Sequence, residues 1–385
     1  MRVLIAPDSF TGTLSATQAA GAIAVGWLRT SPNDVIHRCP LSDGGPGFVS
    51  VMHAGLGGQP YPVTISGPLA EPTIAEIVVV DSDGVSVAYV ESAQACGLHL
   101  VPHEQRDPRR TSSFGLGELI AQSIALGAKR IVIGLGGTGT NDAGAGLLAA
   151  LGATAHDEFG NDCSDMLRNG GGALTRVASI DLAPARRAVA GVELVIASDV
   201  DNPLLGLRGA TNGYARQKGA DEAAVMELEG ALEHFAALVG RREDGKDPAV
   251  ALGAGAAGGV GYALMQVGAA RVPGIATVLE TVGLAALIAE SDVVVTGEGS
   301  FDWQSLRGKV VSGVAAAALE QGRPCVVIAG RVEVGRREFA ASGVTAAFAV
   351  VDDVRDRGLD EKVAIDDAAS QVAQLAARVA RTWGS

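Results

Sequence analysis

The chain has 385 residues, enough for two domains of ordinary size with a substantial core. Its composition, 48% hydrophobic and 19% charged, argues against disorder, and a formal net charge of −13 without a large Lys/Arg cluster argues against a nucleic-acid-binding face. Cys39, Cys96, Cys163 and Cys325 are too widely spaced for a metal or redox motif and read as reduced thiols of a cytoplasmic protein.

The chain opens on a strand, Val3 to Ala6, which reads as a start without signal or transit peptide. A helix from about Ser15 to Leu28 follows, with Ser15 and Gln18 spaced as a capping box. Ile77 to Val80 and Val85 to Val90 flank Asp81-Ser82-Asp83-Gly84 and predict an antiparallel hairpin. Arg130 to Ile133 reads as a buried parallel strand, and the glycine-rich residues 134–142 lead from it into a helix over 143–151. Glu193 to Ala197 is a further strand and Ala223 to Val239 a helix, with a polar loop over 241–248. Residues 252–270 are apolar but too rich in Gly and Ala for a membrane span. The strands Asp292 to Thr296 and Cys325 to Ala329 alternate with helices near 310–321 and 364–382. That alternation predicts an α/β fold with parallel sheet. The two outer segments, 1–70 and 285–385, form one discontinuous domain interrupted by a second over 71–284.

The run Gly134-Leu135-Gly136-Gly137-Thr138-Gly139-Thr140-Asn141-Asp142 carries the chemistry. Glycines between a strand and a helix aim backbone N–H groups at one point, which suits an anion, usually phosphate. Acids recur just past strand ends, where open α/β sheets bind ligands: Asp8, Asp43, Asn141-Asp142, Asp199 with Asp201, and Glu298 with Asp302. One such acid is commonly a helix cap or turn former; five places together point to Mg²⁺ beside phosphate. Lys218 and Lys309, near glycines in polar loops, suit a transferring phosphoryl group, although a loop lysine is usually only solvated charge. The stretch Gly253 to Gly259 is either close helix packing or a backbone cradle.

Three signals compete. Gly134-x-Gly136-x-x-Gly139, with Asp157 downstream, matches a dinucleotide fingerprint, but the hydroxyls and acid crowd the expected bare helix start. Residues 240–246 imitate a P-loop but lack the Ser/Thr and the preceding strand. His99 and His103 are separated by Pro102, which opposes a metal-binding helix. No G-x-S-x-G elbow supports a hydrolase.

In order, these segments resemble the bacterial glycerate kinase family of the glycerate 2-kinase type. The resemblance is carried by Ala6-Pro7-Asp8-Ser9-Phe10, Asp43-Gly44-Gly45, Gly67-Pro68-Leu69, Thr111-Ser112-Ser113 and the glycine loop. It continues through Gly170 to Leu174, Asp199-x-x-Asn202-Pro203-Leu204, Gln217-Lys218-Gly219-Ala220, Gly253 to Gly259, and Thr296-Gly297-Glu298-Gly299 with Asp302 and Gly308-Lys309. It implies ATP- and Mg²⁺-dependent phosphorylation of D-glycerate to 2-phosphoglycerate and ADP, in a monomer or homodimer that binds neither nucleic acid nor membrane. It also implies a flavodoxin/Rossmann-like parallel-sheet domain, an inserted mixed α/β domain, and an active-site cleft between them.

Reading and resemblance together assign Asp8, Asp43, Lys218 and Lys309 to catalysis, and Ser9, Gly44, Gly45 and Asn141 to substrate binding. Gly136, Gly137, Thr138, Thr140, Gly255, Gly258, Gly259 and Gly297 would hold the nucleotide phosphates, and Asp199, Glu298 and Asp302 the metal. Two departures stand out: Thr11 where the family has lysine, and Pro46 where it has glutamate. They leave open a kinase for another small hydroxy acid, or a homologue that binds nucleotide without turnover.

Overall fold

A computed structural model describes residues 1–10, 12–242, 244–306 and 308–384. Thr11 lies outside the described residues. Internal contacts divide the chain into one unit of Met1–Asp43, Ser50–Gly57 and Gly274–Ser385, and a second of Gly44–Val49 and Gly58–Pro273. The sequence boundaries at 70 and 285 fall elsewhere for a packing reason. Gln59–Ser66 already pairs with Pro72–Ser82 in the second unit's sheet. Helix Gly274–Thr281 packs on the first unit, where Gly313 lies against Ile275 and Leu279.

The first unit is built on five parallel strands in the spatial order Val35–Arg38, Arg2–Ile5, Val293–Thr296, Cys325–Ala329, Ala346–Ala349. In chain order this is 2-1-3-4-5, the flavodoxin-like winding, whose switch point falls between Arg2–Ile5 and Val293–Thr296. The central strands are almost wholly buried because helices cover both faces. Val3, Ile5, Val293 and Val295 face helices Ala16–Thr30 and Ala368–Trp383 in one core. Those helices approach closely at Gly26, where a Cβ would stand 2.0 Å from the Ala373 carbonyl oxygen. The capping box is present: Gln18 N–H donates to Ser15 Oγ at 3.2 Å, and Ser15 N–H to Gln18 Oε1 at 2.9 Å.

The second unit has a six-stranded mixed sheet in the order Ala270–Val272, Glu193–Ala197, Arg130–Gly134, Val85–Glu91, Pro72–Ser82, Gln59–Ser66. The first four strands are mutually parallel and the last two join antiparallel. The hairpin turns on Asp83 and Gly84, both at positive φ, which fits the two-residue turn that matches strand twist. Three parallel strands end side by side, with Glu91 opposite Gly134 and Gly134 opposite Ala197. The loops that matter chemically leave from this carboxyl edge. Among the described residues no helix is long and apolar enough to cross a membrane.

Four strands carry little sequence signal. Val35–Arg38, Ala346–Ala349, Gln59–Ser66 and Ala270–Val272 all sit at sheet edges. Edge strands are short or half-exposed, and Pro60 and Pro62 are tolerated there because one side of the strand has no ladder to complete.

Candidate active site

In the first unit, the chain leaves the switch point along two adjacent paths. Ala6 N–H donates to the Val295 carbonyl at 2.7 Å, Asp8 N–H to the Gly297 carbonyl at 2.8 Å, and the Thr296 hydroxyl to the Ala6 carbonyl at 2.8 Å. Asp8 and Glu298 are thereby delivered to the carboxyl end of the sheet by neighbouring strands.

Burial pushes the Asp8 carboxyl up to about 7, with the negative charge of Asp43 and then that of Glu298 adding; Ser9 N–H, 2.6 Å from Asp8 Oδ1, and the Lys309 ammonium oppose the rise. Glu298 is also raised to about 7 by burial, with Asp302 and Asp43 adding and the Ser305 hydroxyl and Lys309 opposing. Its Oε1 is buried without a hydrogen-bond partner among the described residues. Neighbouring carboxylates gathered around one lysine cannot all ionise cheaply, so this site attracts a proton or a cation.

Asp302 is turned into its own loop, where Oδ1 accepts N–H bonds from Gln304 at 2.7 Å and Ser305 at 3.2 Å. Lys309 stands at the N-cap position of helix Val310–Glu320 without a side-chain capping bond. Gly297 is a packing glycine, since a Cβ there would stand 1.9 Å from the Ile328 carbonyl oxygen.

In the second unit, the glycine loop departs from expectation. The helix begins only at Ala145, because Ala143 and Gly144 are both left-handed. Its N-terminal donors are already used: Asp142 accepts from Gly144 N–H at 3.0 Å, Gly146 N–H at 3.3 Å, and both the N–H and hydroxyl of Ser113 at 2.8 Å. This buried carboxylate fills the anion position that the helix start would otherwise offer. The donors left for a ligand lie earlier, since the N–H groups of Gly137, Thr138 and Thr140 meet no acceptor among the described residues.

Lys218 reaches this loop from below. Its ammonium donates to the Thr140 carbonyl at 2.6 Å and lies 3.5 Å from Thr138 Oγ1, with the side chain almost wholly buried. Burial lowers Lys218 to about 8, against the opposing influence of Cys96 and Asp142. Asn141 is fully buried; its amide donates to Thr211 Oγ1 at 3.0 Å and its Oδ1 has no partner among the described residues.

The second glycine stretch supports this loop. Ala257, Gly258 and Gly259 are all at positive φ, and a Cβ on Gly258 would stand 2.0 Å from the Thr140 carbonyl oxygen. Ala143 N–H donates to the Gly258 carbonyl at 3.0 Å. Gly255 lies against the Pro203 carbonyl in the same way. The chain's own backbone thus occupies the Cβ side of these three glycines, which is why the close packing requires glycine there.

Gly44 and Gly45 belong with the second unit. A Cβ on Gly44 would meet the Ala197 carbonyl at 2.5 Å, and one on Gly136 would meet Gly45 Cα at 2.9 Å. Asp199 follows strand Glu193–Ala197 in this unit, whereas Glu298 and Asp302 belong to the first. Asp201 is taken by Arg271 at 2.6 Å. Among the described residues no three His, Cys, Asp or Glu side chains gather tightly enough to hold a metal ion. An ion here therefore needs oxygen ligands from substrate and water, the usual habit of Mg²⁺. The orphaned Glu298 Oε1 beside Asp8 and Asp43 has the donor chemistry for it.

The dinucleotide reading loses its acidic residue. Asp157 sits in an exposed turn, where Oδ1 accepts the N–H groups of Phe159 and Asn161 at 2.9 and 2.8 Å. Sequence reasoning missed Glu91, Ser92 and Ser113 as parts of the site. A charged residue closing the apolar strand Val85–Glu91 was the available signal for the first.

The family model described as the glycerate kinase family matches residues 3–384. A protein named glycerate kinase from Halalkalibacterium halodurans is 39% identical over 382 residues, covering 99% of this chain and 98% of its own. One named glycerate 2-kinase from Escherichia coli K12 is 40% identical over 354 residues, covering 91% of each. The crystal structure of a candidate glycerate kinase 2 from Salmonella typhimurium LT2 superposes with a TM-score of 0.79 at 36% identity, covering 100% of this chain and 98% of that one.

Proposed function

The chain belongs to the glycerate kinase family, and we propose that it transfers the γ-phosphoryl group of ATP to the 2-hydroxyl of D-glycerate, giving 2-phosphoglycerate and ADP. The observation that carries the chemistry is the pair Asp8 and Glu298, both raised to about 7 at the carboxyl end of the first unit's sheet. A group poised near the working pH is what general-base catalysis requires, and it typically contributes about 10²–10⁴-fold.

In this reading, Asp8 or Asp43 accepts the hydroxyl proton as the new O–P bond forms and the bond to ADP breaks. Lys309, which acts electrostatically on Asp8 and Glu298, offsets charge on the transferring phosphoryl. Glu298 and Asp302 would hold Mg²⁺, which would supply neutralisation of phosphate charge. In the second unit, the free N–H groups of Gly137, Thr138 and Thr140 bind phosphate oxygens, and Lys218 fixes the loop from behind while adding positive charge. Asn141 is the polar contact for glycerate. Gly255, Gly258, Gly259 and Gly297 support the backbone geometry of the segments they belong to. We place the activity in the cytoplasm.

A second reading, a kinase for another small hydroxy acid, is favoured by Pro46. Its ring packs where a side chain on Gly137 would lie, with Cγ 2.5 Å from such a Cβ, at a position where the family pattern has glutamate.

The test is ³¹P NMR of the purified protein with ATP, Mg²⁺ and D-glycerate, with L-glycerate and glycolate in parallel. A 2-phosphoglycerate signal that requires both ATP and Mg²⁺ upholds the proposal. A 3-phosphoglycerate signal overturns the regiochemistry, and product only from another acid establishes the second reading.

A further inference from the structure

We propose that Glu91 and Ser92 are the positioning residues that set the two glycine loops of the second unit against each other. Glu91 anchors the loop through Gly44–Val49, and Ser92 anchors the loop of residues 134–138. The inference rests on reading these loops as the substrate and phosphate loops.

The dipeptide ends strand Val85–Glu91, in register with Gly134, so it emerges beside the glycine loop. Glu91 is almost wholly buried, and its two oxygens face different amides: Oε1 accepts from Gly47 N–H at 3.0 Å, and Oε2 from Val49 N–H at 3.2 Å. Ser92, fully buried, makes a two-way contact with Gly136: its hydroxyl accepts from Gly136 N–H at 3.1 Å and faces the Gly136 carbonyl at 3.2 Å. Consecutive residues thus hold two loops separated in sequence by the whole hairpin. The held loops then touch, Gly136 against Gly45 and Gly137 against Pro46. Both Glu91 oxygens and the Ser92 hydroxyl are already engaged by loop backbone groups, so the dipeptide acts on the loops and not on substrate. What they supply is a fixed distance between the loops, and misplacement by 1 Å is enough to cost a kinase much of its rate.

A buried carboxylate is an expensive means of holding two amides, and burial does push Glu91 upward. An ionised acceptor makes stronger bonds than a neutral amide, and its two oxygens can serve two donors at once. Glutamine cannot do this, because its amide nitrogen would turn a donor toward one of the N–H groups.

The experiment combines steady-state kinetics with residue-resolved amide hydrogen exchange on the full chain and on Glu91→Gln, Glu91→Ala and Ser92→Ala. The expected result is a split. Glu91→Gln raises the glycerate KM roughly tenfold, as for loss of one charge-assisted hydrogen bond, and moves the ATP KM less. Ser92→Ala does the reverse. Exchange quickens at Gly47 and Val49 in the first variant and at Gly136 in the second, and glutamine is milder than alanine at position 91. Loss of stability alone would shift melting without splitting the two KM values. Wild-type exchange at Gly47 and Val49 in Glu91→Gln, or equal changes in both KM values, would overturn the proposal. Should the wild-type chain phosphorylate no glycerate, the functional reading fails, and the exchange rates still decide whether Glu91 and Ser92 anchor the loops.

Discussion

Gly45 and Gly136 meet backbone to backbone, with room for no side chain between them: a Cβ on Gly136 would stand 2.9 Å from Gly45 Cα. Asp43, two residues before this contact, raises both Asp8 and Glu298 by its charge. The segment 43–45 therefore contributes to two sets of functional groups, one electrostatic and one steric. The charge of Asp43 on both Asp8 and Glu298 makes it the most informative acid to change.

Asp43→Asn should lower kcat by orders of magnitude with folding intact, whether Asp43 takes the proton or tunes Asp8. The pH profile distinguishes these roles. The carboxylates must be ionised to act as base, so wild-type kcat should climb as pH rises through about 7. Removing the neighbouring charge should shift that limb to lower pH if Asp8 is the base. Near-normal turnover in the variant removes Asp43 from the chemistry. A linked stability effect follows, because the folded-state values lie above the unfolded ones. The stabilisation is fully present in acid and is lost as pH rises through about 7, readable as a falling denaturation midpoint.

Lys218 should supply the opposite limb. Burial lowers it to about 8, so its charge is lost above that pH and activity should fall there. Lys218→Met keeps the bulk and removes the charge. It should reduce kcat roughly 10²–10³-fold, as for loss of one preorganised electrostatic donor, and abolish the alkaline limb of the profile. An alkaline limb that survives the substitution assigns it to another group.

Asp142→Asn tests the filled helix start. The carboxylate accepts from three backbone N–H groups and one hydroxyl. An amide nitrogen in place of one oxygen confronts donors with a donor, which should destabilise the protein by about 1–3 kcal/mol in urea unfolding. Unchanged stability would mean that these amides find water instead.

Gly258→Ala tests the support behind the loop. The residue has φ +71°, and a methyl group would stand 2.0 Å from the Thr140 carbonyl oxygen, so loop or helix must move. The backbone conformation alone should cost about 1–3 kcal/mol, and the displaced loop should raise the ATP KM.

Much of this architecture is local enough to be legible in the chain. The apolar strands Arg2–Ile5, Arg130–Gly134, Glu193–Ala197 and Cys325–Ala329, the Ser15 capping box and the Asp83-Gly84 turn each depend on residues near one another in sequence. Acids placed just past strand ends reveal the carboxyl edge, because strand direction alone fixes which end a loop occupies. The sequence by itself thus determined the fold class and the family. Only the tertiary structure decided which contacts hold the candidate groups. It showed Asp142 spent on the helix start, Gly258 pressed under Thr140, Asp157 closed in its own turn, and Glu91 holding amides more than 40 positions away. A hydrogen bond or a steric contact between distant residues leaves no periodic trace in a sequence. Whether a glycine loop is empty, filled or braced depends on which backbone the fold brings against it.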